Sequence, residues 1–567
     1  MFFNSKGDEE ITYDAIVIGS GISGGWAIKE LTEKGLKVLC LERGRDIKHG
    51  DYPTANKEIW ELPNNDRLTE EEMKDYLKQN RSGYTIRHST LHHWIKDTEH
   101  PYTEKQPFDW IRGYHVGGRS LMWGRQSYRL SPMDFEANAK EGIAVDWPVR
   151  YDELAPWYDY VEEYIGVSGQ NEGLAQLPDG KFLPPMQLNC VENVLKQSIS
   201  DNFNGRTLTI GRTAHLTQAK KNRGTCQYRN RCMRGCPYGA YFSSQSSTLP
   251  AAYATNNLTM RPFSAVHSIM YDKKTNKAKG VRIIDTQSKE TKEFFAKIIF
   301  VNASALNSTM ILLNSKSDRF PNGMGNDSDQ LGRNVMDHHF RVGASGKWDG
   351  FADKYYKGRR PNGFYIPRFR NIDKASTRKD YLRGYGYQGG ASRTSWHSYV
   401  RELGFGKDFK EKLRMPGSWR LGMTAFGECL PYEENRVTLN EEVRDVHGLP
   451  TLTMDAGWKE NEMKMRVDMA NAGAEMLEAA GFTDVSTYDR GCNPGLGIHE
   501  MGTARMGRDP KTSVLNKWNQ IHACKNVFVT DGAFMTSAGC QNPSLTYMAF
   551  TARAADHAVK ELKKGDL

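Results

Sequence analysis

The chain has 567 residues, 38% of them hydrophobic and 11% aromatic, with a formal net charge of +9 at pH 7. This length is too great for one simple core and indicates two joined domains or one domain with large insertions. The basic residues are scattered and form no stripe, which argues against nucleic acid as a partner. No run approaches the ~20 apolar residues that span a bilayer, so we expect no direct membrane insertion.

The first residues of the chain lack the basic start, apolar run and small-residue cleavage site of a secretory signal. We therefore expect that the chain does not export itself, although another chain could carry it. Nine cysteines are present. An odd number spread over a long chain argues against a disulfide framework.

The N-terminal motif has the order strand, glycine turn, helix, strand and acidic residue. Residues 13–19 predict a buried parallel strand, and a second predicted strand over 37–41 ends at Glu42. The turn between them carries Gly19, Gly21 and Gly24. In a dinucleotide fold these glycines permit a tight turn, close approach of a pyrophosphate and close helix packing, while the acid accepts from ribose hydroxyls. The motif predicts a nucleotide site without separating FAD from NAD.

Residues 66–100 predict an exposed excursion that covers a cofactor. Its pair His92 and His93 could bind a metal, although a solvent-facing pair is the preferred interpretation. A second glycine-rich turn follows over 115–124 and includes Gly117, Gly118 and Ser120. Paired glycines let backbone lie flat against a planar ring, and the alternative is a flexible surface loop.

Three cysteines crowd into one short segment in the pattern C-x5-C-x3-C-P, formed by Cys226, Cys232 and Cys236. Three thiolates on a glycine-containing loop can bind a soft metal centre. Zinc normally takes four ligands and would need a fourth that the segment does not supply. A structural cysteine loop is the remaining alternative.

The C-terminal region carries two further polar motifs. One is the segment 497–507, which contains His499. The other follows a predicted strand over 526–530 that ends in Asp531 and Gly532, after which Asn542 and Pro543 precede an alanine-rich helix.

Taken together, the motif at 19–42, the Gly-Gly-Arg-Ser turn, the histidine segment and the Asn-Pro-Ser-Leu-Thr segment resemble the glucose–methanol–choline (GMC) oxidoreductase family. The resemblance implies one FAD shared between these motifs, with His499 and Asn542 as the catalytic pair beside the flavin. The residues that it places at the cofactor are Gly19, Gly21, Gly24, Glu42, Gly117, Gly118, Ser120, Asp531, Gly532, Asn542 and Pro543. Some relatives tether FAD through a histidine where this chain has Met122, so we expect FAD to be bound non-covalently.

The resemblance also implies an α/β fold with a Rossmann-like FAD-binding domain and a sheet-based substrate domain. The FAD-binding domain would comprise residues 10–150, 216–344 and 490–567, with the cysteine loop at 224–238. The substrate-binding domain would comprise residues 151–215 and 345–489. Aromatic residues there are candidates for a pocket wall, although most are expected to be ordinary core residues: Tyr355, Tyr356, Phe364, Tyr365, Tyr385, Tyr387 and Trp396.

The chemistry of alcohol oxidation agrees with these assignments. A hydride moves to flavin N5 while the hydroxyl proton leaves, and an imidazole with an unperturbed pKa near ~6.5 suits a general base. We therefore assign that role to His499. Asn542 would orient the substrate oxygen and stabilise the charge that develops on it.

The cysteine spacing is similar to that of catalytic subunits of bacterial sugar dehydrogenases of this family, which bind a 3Fe-4S cluster. That similarity makes Cys226, Cys232 and Cys236 the ligands and implies electron exit to a cytochrome c acceptor. Wider similarity to glucoside 3-dehydrogenase large subunits implies oxidation of a pyranose or glycoside at C3. Such subunits are exported with a small signal-bearing subunit, which implies a periplasmic location; otherwise the chain is cytoplasmic. The alternatives are a soluble sugar oxidase that reduces O2 to H2O2 and a non-redox FAD-containing lyase.

Overall fold

The computed structural model describes residues 12–356, 361–394, 405–414 and 416–567. Its strands in chain order are β1 (Thr12–Ile18), β2 (Val38–Leu41), β3 (Thr103–Glu104), β4 (Thr209–Ile210), β5 (Leu258–Arg261), β6 (Ser264–Asp272), β7 (Lys277–Asp285), β8 (Thr291–Val301), β9 (His339–Trp348), β10 (Phe364–Ile366), β11 (Tyr385–Arg393), β12 (Trp419–Gly427), β13 (Arg436–Arg444), β14 (Pro450–Asp455), β15 (Thr483–Asp489), β16 (Gln520–Ile521) and β17 (Cys524–Val529).

The helices surround two larger sheets. They are α1 (Ile22–Glu33), α2 (Glu70–Met73), α3 (Leu77–Asn80), α4 (Pro132–Glu141), α5 (Tyr151–Ile165), α6 (Cys190–Asn202), α7 (Thr248–Ala254), α8 (Ala305–Asn314), α9 (Lys407–Arg414), α10 (Glu460–Ala479) and α11 (Ser544–Lys564). Within the described ranges, none of them is both long and apolar enough to cross a membrane.

The larger sheet has the strand order β16-β17-β8-β1-β2-β5, extended by the β6–β7 hairpin, which pairs with β8. β1 pairs in parallel with β2 and β8, and β17 and β5 extend the parallel part on either side. Ala15–Ile18 and all of β2 are buried, as expected for strands covered on both faces. The expected α/β fold with a Rossmann-like unit is confirmed.

The turn between β1 and α1 is held by a very close contact of two glycines. Gly19 has φ +91°, in the left-handed region that favours glycine. A Cβ on Gly24 would lie 1.9 Å from the carbonyl oxygen of Gly19, so only glycine fits there. This contact brings the N-terminus of α1 to the carboxyl end of β1, where a phosphate-binding turn needs it.

The second sheet has the order β15-β9-β12-β11-β10-β4 and its pairings are antiparallel. α10 packs against β9, because its buried residues recur at helical spacing: Met465, Met469, Ala472, Met476 and Leu477. Four of the predicted pocket aromatics lie buried in or beside this sheet as core residues: Phe364, Tyr365, Tyr385 and Tyr387. The domain boundaries at 150, 215, 344 and 489 stay a prediction.

The excursion over residues 66–100 differs from its prediction at one point. We expected a solvent-facing histidine pair, but His93 is only 1% exposed and its ring lies between the rings of His92 and His115. The prediction was wrong because the segment folds back over Ile111 and Leu121, whose apolar side chains exclude water from it. Burial accordingly lowers the pKa of His93 far below its usual value, which keeps the ring neutral.

A prediction about protein stability follows from the Gly19–Gly24 contact. The variant Gly24→Ala should destabilise the protein by about 1–3 kcal/mol, because a methyl group must push the backbone of α1 away from β1. Thermal unfolding measured by circular dichroism checks this. Gly21→Ala is the matched control, since no heavy atom lies within 4 Å of the Cβ it would add. Equal unfolding midpoints for the two variants would contradict the proposed constraint.

Candidate active site

One large cavity is lined by residues of both larger sheets. Its volume is about 2670 Å³, and its wall includes the carboxyl ends of β1 and β2 on one side and residues of β11 and β12 on the other. Typical small-molecule sites enclose roughly 300–1,000 Å³. The cavity is therefore large enough for a dinucleotide together with a substrate.

The first glycine turn and Glu42 line one end of this cavity. The backbone N–H and hydroxyl of Ser20 donate to Glu42 Oε2 at 3.2 and 2.6 Å, and the N–H of Gly44 donates to Oε1 at 3.1 Å. Burial raises the pKa of the Glu42 carboxyl. Glu42 is thus held at the end of β2, the position from which an acid reaches a ribose in dinucleotide folds.

The second glycine turn packs directly on the first. The N–H of Gly117 donates to Ser20 Oγ at 2.9 Å, and a Cβ on Gly118 would lie 3.3 Å from Gly21 Cα. Ser120 Oγ donates to the carbonyl of Gly117 and accepts from Ser244 N at 3.1 Å. The two turns, whose contacting residues are 97 positions apart in sequence, therefore form one continuous surface.

The C-terminal motifs complete the same surface. Asp531 Oδ1 accepts from Ala533 N at 3.1 Å and Oδ2 accepts from Ser308 Oγ, while burial raises the pKa of its carboxyl to about 6. A Cβ added to Gly532 would lie 2.3 Å from the carbonyl oxygen of Glu500, so the close packing here requires glycine. Both residues line the cavity beside the N-terminal turns.

These residues fit an FAD cofactor. Buried polar atoms without a protein partner, Asn302 Nδ2 and Tyr547 Oη, belong to cavity-lining residues and are free for a ligand. Of the predicted cofactor residues, Gly24, Gly117 and Pro543 lie one layer behind the wall, where they shape turns and the start of α11. The other eight line the cavity: Gly19, Gly21, Glu42, Gly118, Ser120, Asp531, Gly532 and Asn542.

The predicted catalytic pair is brought together. Asn542 Nδ2 lies 3.5 Å from His499 Nε2, although 43 residues separate them in sequence. Burial lowers the pKa of His499 well below its usual value, and the neighbouring His338 and Arg119 lower it further. His499 is therefore a neutral imidazole at neutral pH and can accept a proton.

Contacts of two acidic side chains, Asp337 and Glu500, hold the backbone around His499. Asp337 accepts from four backbone N–H groups, and these belong to His338, Gly495, Gly497 and His499 at 2.8–3.1 Å. Burial raises the pKa of the Asp337 carboxyl to about 7. The adjacent Glu500 forms a bidentate pair with Arg119 at 2.9 and 3.0 Å. These contacts position the histidine segment against the second glycine turn.

Two polar neighbours of the pair were not predicted from sequence. His338 Nδ1 lies 2.8 Å from His499 Nδ1, and Gln388 Nε2 donates to Asn542 Oδ1 at 2.6 Å. His338 stands in an Asp-His-His run and Gln388 precedes two glycines within a strand. Neither pattern by itself shows that the side chain meets a residue more than 150 positions away.

The cysteine loop forms another part of the cavity wall, to which Cys232 contributes directly. All three thiols are free and partly exposed. Burial raises the pKa of Cys226 to about 11, and the acidic thiols of Cys232 and Cys236 add to this effect. Cys232 Sγ lies 3.7 Å from Nε2 of the buried His215.

The donor chemistry of this loop suits a soft metal centre, because thiolate sulfur is the ligand that such centres prefer. However, among the residues that the structure describes, no three histidine, cysteine or carboxylate side chains are placed to hold a metal ion. Ligands of different irons in one cluster need not meet at a single point. The metal assignment of Cys226, Cys232 and Cys236 stays a prediction.

Beside the catalytic pair, the cavity wall has both polar and aromatic side chains. Gln388 and Thr424 line it from the second sheet, and Phe426, stacked on Phe340 at a centroid distance of 5.1 Å, lies beside them. Tyr355 and Tyr356 also line the cavity, as predicted for two of the aromatic candidates. Trp396 lies outside the described residues.

Comparison with known proteins agrees with this arrangement. Residues 13–340 and 431–551 match models described as GMC oxidoreductase. The chain is 30% identical over 563 residues to a 2-methyl-1,2-propanediol dehydrogenase from Mycolicibacterium austroafricanum, covering 96% of this chain and 94% of that one. It is 27% identical over 573 residues to a fructose dehydrogenase large subunit from Gluconobacter japonicus, covering 98% and 100%.

Solved structures show the same fold at lower identity. A pyridoxine 4-oxidase from Mesorbium loti superposes with a TM-score of 0.61 at 16% identity, over 96% of this chain and 98% of that one.

A prediction about FAD binding follows from the unpartnered hydroxyl of Tyr547. Tyr547→Phe should weaken FAD binding about fivefold, the effect of one hydrogen bond, while leaving thermal stability of the apoprotein unchanged. Titration of the apoprotein with FAD, followed by flavin fluorescence, checks the affinity. The contrasting control is Tyr158→Phe, whose hydroxyl bonds to Thr546 at 2.8 Å, so stability rather than affinity should fall. Unchanged FAD affinity in Tyr547→Phe would remove this residue from the cofactor site.

Proposed function

Because the chain belongs to the GMC oxidoreductase family, whose models match residues 13–340 and 431–551, we propose that it oxidises a secondary hydroxyl of a pyranose or glycoside. At the coarser level it is an FAD-dependent oxidoreductase that acts on alcohol or sugar hydroxyls. The finer proposal places the reaction at C3, with a 3-keto sugar as product. The observation that carries it is the His499–Asn542 pair facing polar and aromatic walls within one cavity.

The chemistry divides between the pair and the cofactor. His499 Nε2 takes the hydroxyl proton, and it is available for this because burial keeps the imidazole neutral. Asn542 Nδ2 donates to the substrate oxygen and stabilises the negative charge that develops there. The hydride acceptor would be supplied by FAD, held by the residues of the two glycine turns and by Asp531 and Gly532. The expectation that FAD is held non-covalently follows from Met122, which lines the cavity and has no nucleophilic nitrogen.

The wall that the second sheet contributes supports a sugar as substrate. A pyranose presents apolar C–H faces and hydroxyl edges, and the wall offers the aromatic ring of Phe426 beside polar groups at Gln388 and Thr424. Thr424 Oγ1 is itself held by the hydroxyl of Tyr488 at 2.7 Å. The relative named a propanediol dehydrogenase makes small diols the second substrate class to test. The choice of C3 rests on the sequence resemblance alone.

We further propose that Cys226, Cys232 and Cys236 hold a 3Fe-4S cluster through which electrons leave to a cytochrome c-type acceptor. The support is that the cysteine loop forms part of the same cavity wall as the catalytic pair. Such a cluster would supply single-electron transfer out of the cavity. One relative is named as a large subunit, which supports a small partner subunit that would also carry this chain to the periplasm.

The first functional prediction concerns reduction of the flavin by substrate. Under anaerobic conditions, a panel of pyranoses, glycosides and small diols should include compounds that bleach the flavin absorption, with a 3-keto sugar as the identified product. His499→Ala should retain FAD but slow this reduction by about 10²–10⁴-fold, because the base is lost. Since the pKa of His499 lies well below 6.5, the acid limb of the wild-type rate should also lie below pH 6.5.

Several results would contradict this assignment. No bleaching by any compound would favour a non-redox lyase, and fast turnover with O2 and stoichiometric H2O2 would favour an oxidase. Near-normal reduction in His499→Ala would remove the proposed base. An acid limb at or above pH 6.5 would contradict a neutral, buried imidazole as the proton acceptor.

The second functional prediction separates flavin reduction from electron exit. Cys232→Ser should keep the wild-type rate of flavin reduction but lose iron and acid-labile sulfide, with cytochrome c reduction falling at least about tenfold. Cys190→Ser, a partly buried cysteine outside the loop, is the matched control and should change none of these. Iron-free wild-type protein after anaerobic purification would refute the cluster.

A further inference from the structure

A second buried histidine lies against the catalytic one. His338 is 1% exposed, and its two ring nitrogens meet different partners: Nε2 lies 2.8 Å from the carbonyl oxygen of Gly539, and Nδ1 lies 2.8 Å from His499 Nδ1. The two rings cross at 80°, with centroids 4.9 Å apart. None of the sequence motifs includes this contact.

The Gly539 carbonyl determines which nitrogen of His338 carries hydrogen. A carbonyl oxygen can only accept, so His338 Nε2 must donate. Burial lowers the pKa of His338 to about 4, so the ring is neutral and its Nδ1 carries a lone pair. That lone pair must accept from His499 Nδ1–H, since two facing lone pairs at 2.8 Å would repel. His499 Nε2 is then left without hydrogen.

We propose that His338 is a positioning residue that holds His499 in the tautomer whose Nε2 can act as the base. This inference rests on the proposed function for the identity of the base, but the tautomer itself follows from the contacts. The opposite tautomer would place a hydrogen on Nε2, which could then only donate to the substrate hydroxyl. His338 thus acts on His499 as the third residue of a catalytic triad acts on its histidine.

The same logic extends to Asn542. Because His499 Nε2 accepts, the amide nitrogen of Asn542 must face it, and this leaves Asn542 Oδ1 to accept from Gln388 Nε2. These four hydrogen bonds form a series that runs in one direction. Gln388 donates to Asn542, Asn542 donates to His499, His499 donates to His338, and His338 donates to the Gly539 carbonyl. A substrate hydroxyl that replaces the long Asn542–His499 contact, 3.5 Å, would donate to His499 Nε2 and accept from Asn542 Nδ2.

One short turn carries both Asn542, the second residue of this hydrogen-bond series, and Gly539, its last acceptor. Gly539 and Asn542 are three residues apart, and Gly539 has φ +63° with Leu130 Cδ2 2.6 Å from the position of a Cβ. The turn therefore holds its carbonyl in a fixed direction. When His499 receives the substrate proton, its Nδ1–H continues to donate to His338, which stabilises the imidazolium.

Two substitutions at His338 in the FAD-loaded enzyme test this proposal. His338→Leu removes the acceptor and should lower the limiting rate of anaerobic flavin reduction about 10–100-fold, with little change in the substrate dissociation constant. His338→Asn should recover most of the loss, because its Oδ1 can accept in place of Nδ1. His339→Leu is the matched control: that neighbouring buried ring packs against Trp458, and the rate should stay unchanged.

The outcomes separate a tautomer effect from a structural one. A wild-type rate in His338→Leu overturns the proposal, and so does an equal loss in His338→Leu and His338→Asn with normal unfolding midpoints. If His338→Leu does not fold, two other experiments test the proposed tautomer. They are the rate of flavin reduction in His338→Asn and a neutron diffraction structure of the deuterated wild-type holoenzyme. Deuterium is expected on His338 Nε2 and His499 Nδ1, and deuterium on His499 Nε2 overturns the proposal.

The neutron result does not depend on turnover. If no sugar or diol reduces the wild-type flavin, the proposed function fails, while the hydrogen positions still decide the tautomer of His499. If reduction is fast and the deuterium positions are reversed, the function stands and the role of His338 fails.

Discussion

Gly24 lies so close to Gly19 that any side chain there would meet a carbonyl oxygen at 1.9 Å, and this contact sets the geometry at the carboxyl end of the parallel sheet. It brings the N-terminus of α1 against β1 and leaves Ser20 pointing towards β2. Ser20 then joins Glu42 to the second glycine turn through its hydroxyl, which donates to Glu42 and accepts from Gly117 N. One end of the cavity therefore depends on a single close approach of backbone.

Burial has opposite effects on the acids and bases around His499. It raises the pKa of Asp337 and lowers that of His499, because it disfavours the charged form of each. Asp337 is nevertheless fully occupied by backbone N–H groups, so it orders the histidine segment rather than sharing a proton with the imidazole. A neutral His338, not a carboxylate, contacts His499 Nδ1. The base is thus oriented by a neutral partner, which stabilises an imidazolium less strongly than a carboxylate does.

The cysteine loop and the catalytic pair share one cavity but contact different parts of its wall. Gly235, with φ +89°, lets the loop turn over the ring of Tyr52, whose hydroxyl contacts Gln245, and Gln245 bonds in turn to the carbonyl of Val116 beside the second glycine turn. Packed contacts therefore connect the cysteine loop with the second glycine turn.

The sequence by itself determined the α/β fold class, the family and the chemical type of the reaction. It could do so because Gly19, Gly24 and Glu42 meet local backbone requirements that leave a readable pattern. Only the tertiary structure decided the partners of His499, the burial of His93 and the core placement of Tyr385 and Tyr387. Those outcomes depend on which distant segments pack together: His338 and Gln388 reach the pair across 161 and 154 residues. A side chain's neighbours across such separations are set by packing of whole sheets, and no local pattern records them.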